Sequence, residues 1–100
     1  MKIKLLQSAF DDLARGRDFY EWQADGIGQY FLDSLFSDID SLVLFAGIHR
    51  NFFGFHRLLS KRFPYAIYYQ LEAGELVVVH RVLDCWQKPS KTEAALKKRG

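Results

Sequence analysis

One cysteine stands in 100 residues, and no apolar run reaches the ~18 residues that a membrane span requires. Cys85 alone excludes an internal disulfide framework and a cysteine-built metal centre. His49 and His56 lack metal-ligand spacing, so no metal and no cofactor are expected. The first residues carry no signal-like apolar core, which leads us to expect a cytoplasmic chain without membrane contact. There is no repeat, no low-complexity tract and no linker, and the length suits one domain over residues 1–100.

Aromatics are plentiful, at 16%, and the apolar fraction of 49% suffices for one core. Several aromatics must therefore reach the surface or an interface. The net charge of +2 hides an uneven distribution. Residues 1–48 hold four Lys/Arg against eight Asp/Glu, whereas residues 49–100 hold ten against four. An acidic half followed by a basic half suggests two surfaces with different partners, with ordinary solvated charge as the alternative.

Lys2–Leu6 alternates polar and apolar residues as a first strand would. Ser8 then offers a helix cap, with Asp11 and Asp12 suited to the positive end of the helix dipole. The spacing predicts a helix over 9–24 whose inner face carries Phe10, Leu13, Ala14, Tyr20 and Ala24, with Arg17 among them. Gly26 and Gly28 mark a reversal, and a second helix over 29–45 carries a wide apolar arc. Phe19 and Trp22 lie off the first helix's inner face. Together with Leu32, Phe36 and Val43 they suggest a groove for an amphipathic partner segment, or else they close on each other or on the 46–54 loop.

Residues 46–56 show no period and read as a loop. Strands follow over about 55–59, 65–71 and 76–83, the last two joined by a turn at Glu72–Glu75 with Gly74 free for positive φ. The order is β-α-α-β-β-β: an α+β architecture with an N-terminal helical hairpin on one face of a mainly antiparallel four-stranded sheet. In the third strand Ile67 and Tyr69 project to the more apolar side, assigned to the helices, which leaves Tyr68 for the open face. The segment after Pro89 could be a short helix or disordered.

Asp18-Phe-Tyr-Glu21 with Gly26-Ile-Gly28, Gly54-Phe-His-Arg57, Arg62-Phe-Pro-Tyr65 with Ile67-Tyr-Tyr69, and Arg81-Val-Leu-Asp84-Cys85 before Pro89 follow one another in a suggestive order. In that order and spacing they resemble the RelE/ParE toxin superfamily. The resemblance implies a cytoplasmic toxin of a type II toxin–antitoxin pair, of the kind tied to plasmid stabilisation. A cognate antitoxin would neutralise it, and DNA would be contacted only through that antitoxin. ParE-like members bind and poison DNA gyrase. RelE-like members are metal-independent endoribonucleases that cut mRNA on the ribosome. A third possibility is a non-toxic member that only binds its antitoxin.

Two departures bear on that choice. The ribonuclease branch has an arginine in the third strand where this chain has Ala66, and the family's usual Arg-Arg-Asp before the final proline is Trp86-Gln87-Lys88 here. RNA cleavage needs a proton acceptor, a proton donor and cations at the phosphorane. The losses favour the ParE-like or the non-toxic reading over the ribonuclease and leave no catalytic residue to assign. The candidate toxin-active surface is Arg57, Arg62, Tyr68, Arg81, Trp86 and Lys88, against scattered arginines with buried stems. Trp86 is either an interface anchor, a stacking platform or packing over the sheet end. Arg81, inside an apolar strand, would otherwise form a structural pair with Asp84 or with an acid of the first helix. His80 reads as a hydrogen-bonded structural histidine, and Cys85 as a small buried apolar residue.

Overall fold

The structure, a computed structural model, describes residues 1–97. Its elements run β1 (Lys2–Leu5), α1 (Gln7–Gln23), α2 (Ile27–Asp40), α3 (Leu42–Phe45), β2 (Asn51–Phe52), β3 (Phe55–Leu59), β4 (Tyr65–Glu72), β5 (Leu76–Asp84) and α4 (Pro89–Lys97). The sheet has five strands in the order β1-β5-β4-β3-β2, antiparallel except where β1 runs parallel to β5. The α+β order and the helical hairpin on the sheet agree with the sequence. The fifth strand does not: Asn51–Phe52 pairs with Phe55–His56 around Phe53 and Gly54, both at positive φ. Such a two-residue turn matches the twist of its strands. Its strand is too short to show a period.

Two cores follow from strand alternation. Ile67, Tyr69, Val77, Val79 and Val82 face α1 and α2, where they meet Leu13, Phe31, Leu35 and Ile39. The opposite face was expected to lie open, but it does not. Ala66, Tyr68 and Leu83 sit with Phe55 under Leu96 of α4, and Tyr68 keeps only 5% of its surface. The segment beyond Pro89 is therefore a docked helix as far as Lys97; positions 98–100 lie outside the described residues.

The face of α1 is rotated from the expected one. Ala9, Asp12, Leu13 and Gly16 are buried, with Tyr20 partly so, while Phe10, Arg17 and Ala24 are exposed. Polarity scoring discounts Asp12 and Gly16, yet one is neutralised by Arg81 and the other receives the Phe31 ring. Ser8 does not cap the helix. It donates instead to the His80 carbonyl at 2.7 Å.

At the hairpin turn, Glu21 accepts the Gly26 and Gly28 amides at 2.9–3.1 Å, satisfying open N–H groups at the start of α2. Gly28 falls inside the first turn of α2, where a Cβ would meet the Arg17 carbonyl at 2.8 Å. The apolar arc then continues across Ser41 into α3 as Leu42. At position 16 a Cβ would stand 2.4 Å from the Phe31 ring. Gly16→Ala should therefore destabilise the protein, although alanine normally gains about 1 kcal/mol over glycine inside a helix. Urea unfolding should show a loss of about 1–3 kcal/mol, the usual cost of overpacking. A gain would mean that Phe31 moves aside freely.

Candidate functional site

β1 stops pairing with β5 at Leu5 and Val79, and α1 takes over that edge. Ser8 and Asp12, one helical turn apart, meet the His80 carbonyl and the Val82 amide, the latter at 2.9 Å. The bulge in β5, where Tyr68 pairs with Arg81 but Tyr69 with Val79, makes His80 the extra residue. Asp12 also takes both ends of the Arg81 fork: Nε to Oδ2 at 2.7 Å and Nη2 to Oδ1 at 2.9 Å. Arg15 completes the carboxylate's shell. The third Arg81 nitrogen, Nη1, donates to the Ala95 carbonyl of α4 at 3.0 Å. Hydrogen bonding to Asp12 pushes the Arg81 pKa above its ordinary value, against the effect of burial. Arg81 is thus a structural cation paired with an acid of the first helix, and its charge is not available on an open surface.

Next in the chain, the Asp84 carboxylate accepts the Trp86 amide and the Gln87 side chain, both at 3.1 Å. The Cys85 amide donates to the Pro64 carbonyl at 2.7 Å. These bonds fix the connection to α4 and leave the Trp86 side chain 82% exposed. Trp86 does not pack over the sheet end. Cys85 is exposed, a correction to its expected burial, because the strand ends at Asp84. Desolvation pushes its thiol pKa up, the wrong direction for a reactive cysteine.

A concavity lies on each side of this connection. The larger, about 590 Å³, is bounded by Arg15, Phe19 and Tyr20 of α1, by Tyr65 and Arg81, and by Trp86 and Lys91. The smaller, about 360 Å³, has Phe52, Arg57, Tyr68, Cys85 and Thr92 in its walls. Asp84 and Gln87 border both. The six residues expected to form one surface are therefore divided. Arg81 and Trp86 border the larger, and Arg57 and Tyr68 the smaller. Arg62 and Lys88 are exposed and border neither.

The Arg57 guanidinium lies 3.8 Å over the Phe52 ring. Burial pushes the Tyr68 phenol up, with Arg57 pulling the other way. Tyr65, packed against Phe31, is pushed up to about 12 by burial first and then by Tyr20, Asp84 and Asp12. His80 departs from expectation as well. It sits 5.0 Å from the Phe55 ring, and its Nε2 is buried without a hydrogen-bond partner among the described residues.

The five candidate partner-groove residues do not all border these concavities. Phe19 borders the larger concavity and packs edge-on against Tyr20, while Trp22 is 88% exposed. Leu32 and Phe36 share one flank of α2, with Val43 on α3, and these three border neither concavity. The sequence reading missed Arg15 and Lys91. Arg15, four residues before Phe19 on α1, carried a signal in its spacing; Lys91 became legible only once α4 docked. No described helix is long and apolar enough to cross a membrane. Among the described residues no group of three or more His, Cys, Asp or Glu is placed to hold a metal ion.

The Asp12–Arg81 pair makes a sharp forecast. Asp12→Ala leaves a half-buried guanidinium and the Val82 amide without partners, and should cost about 3–5 kcal/mol in urea unfolding. Asp12→Ala with Arg81→Met should recover much of that loss. Two losses that simply add would show that the pair is not coupled.

No protein-family model matches the sequence, and no curated protein matches it. Solved structures do match. A chain from the chromosomal ParDE TA system from P. aeruginosa superposes with a TM-score of 0.76 at 19% identity. The match covers 84% of this chain and 95% of that one. At that identity the likeness establishes architecture, and the chain has the RelE/ParE toxin fold.

Proposed function

We propose that residues 1–100 form a single toxin domain of a type II toxin–antitoxin pair, ParE-like in action. It would be a cytoplasmic protein that inhibits DNA gyrase by binding and is held inactive by a cognate antitoxin. The shared fold with a chain of a ParDE TA system supports the toxin reading. One observation carries the choice of binding over catalysis. Position 66, where the ribonuclease branch has an arginine, is an alanine 2% exposed beneath α4. An arginine there would place a charge in the apolar cluster of Phe55, Tyr68, Leu83 and Leu96. The neighbouring cation, Arg81, is already committed to Asp12 and Ala95.

What remains at this end of the molecule is an exposed indole on a fixed connection, and tryptophan is enriched among interface hot spots. The second reading is ribosome-dependent mRNA cleavage. It draws on the smaller concavity, where Arg57 stands beside Tyr68. The raised pKa of the buried Tyr68 phenol makes it a poor proton acceptor near neutrality.

Inducing the chain without its antitoxin separates these readings. Growth arrest with altered plasmid supercoiling and unchanged mRNA 5′ ends is the expected outcome. Trp86→Ala should relieve the arrest and weaken target binding at least about tenfold, the scale of a ~1.4 kcal/mol hot-spot loss. Its thermal midpoint should stay unchanged, because the side chain is exposed. Codon-phased cleavage with normal supercoiling would replace this proposal with the ribonuclease reading. Normal growth at verified expression would favour a non-toxic antitoxin-binding member.

A further inference from the structure

We propose that His49 and Tyr69 form an acid-sensitive latch that pins the loop between α3 and β2 to the sheet. Tyr69 is fully buried in β4, and its hydroxyl meets two groups of that loop. The oxygen accepts the Gly47 amide at 2.9 Å, and His49 Nδ1 lies 2.5 Å away. A phenol has one hydrogen, and no other acceptor for it stands among the described residues. That hydrogen therefore goes to Nδ1, so His49 is neutral and carries its own proton on Nε2. The tautomer is fixed by this satisfaction argument.

His56 of β3 adds a third bond. Its Nδ1 lies 2.7 Å from the His49 carbonyl, an oxygen that only accepts, so Nδ1 must donate. Its ring stacks on Tyr69, with centroids 5.1 Å apart. The loop is thus tied by the Gly47 amide, the His49 carbonyl and the His49 ring. Only the last tie depends on His49 being neutral. A proton on Nδ1 would turn the phenolic hydrogen away from its one described acceptor, so protonation costs that bond.

The surroundings offer the imidazolium nothing in return. Tyr69 meets His49 from β4 and His56 lies beside it from β3. Arg50, next in the chain, sets its guanidinium 5.3 Å over the Phe52 ring. No described carboxylate forms an ion pair with either histidine. Desolvation first, and then His56, lower the His49 pKa from its usual value. The sign follows from linkage: the latched state binds fewer protons than the released one. The latch is at full strength above the ordinary histidine value of about 6.5 and weakens as pH falls below it. Its release would free Ile48, together with the neighbouring Leu44 and Phe45 of α3, all three apolar and exposed.

The test is an NMR titration of the intact chain from about pH 7.5 to about pH 5, the window in which histidine switches. It follows the His49 ring and the exchange protection of the Gly47 amide. His49 should titrate below 6.5. Gly47 protection, corrected for intrinsic exchange, should fall about tenfold for each unit of that displacement. The Leu6 amide, bonded to the Val79 carbonyl at 3.0 Å, is the control and should hold. Tyr69→Phe should bring the loss of Gly47 protection to neutral pH. His49→Ala, a loop substitution outside the core, should abolish its pH dependence. His49 titrating at or above 6.5, constant Gly47 protection in the wild type, or pH dependence that survives in His49→Ala would overturn the proposal.

Discussion

The carboxylate of Asp12 is the point on which three separate pieces of chain converge. It lies on α1, takes the Val82 amide of β5, and grips the Arg81 guanidinium, which in turn holds the Ala95 carbonyl of α4. A buried acid is costly unless its lone pairs are filled, and here cations and an amide fill them. The arrangement also answers the loss of sheet pairing beyond the end of β1. An exposed edge would leave backbone groups of β5 open, and side chains of α1 close it instead.

This constraint reaches the candidate site. With Arg81 drawn to α1 and α4, its guanidinium is not free at the end of β5. With α4 held down, Ala66 and Tyr68 are covered. Asp84 then braces the short connection from which Trp86 projects. On that basis we propose recognition through the exposed indole rather than acid–base catalysis.

Much of this was legible in the sequence because it rests on local periodicity and turn chemistry. The strand at Lys2–Leu5, the glycine-marked helical hairpin, the Tyr65–Asp84 hairpin and the inward side of Ile67 and Tyr69 all follow from period and glycine placement. What escaped depends on contacts between distant residues. Asp12 and Arg81 are 69 positions apart, so the pattern of α1 alone assigns Asp12 to water and Phe10 to the core. The open face assumed for Tyr68 was closed by a C-terminal helix whose packing residues, Thr92 and Leu96, carry too weak a signal to dock it. Two-residue β2 is below the length at which alternation exists. Wheel positions likewise put Phe19 outward but do not show that Leu32 packs against the core.

Inhibition of gyrase is the functional core of the proposal, and it can be measured with purified components. DNA supercoiling by gyrase, titrated with the wild-type chain and with Trp86→Ala, is the most direct measurement. Loss of supercoiling with the wild type, and its retention with an equally stable Trp86→Ala, is the expected result. Undiminished supercoiling at saturating wild-type chain, or equal inhibition by both proteins, would contradict it.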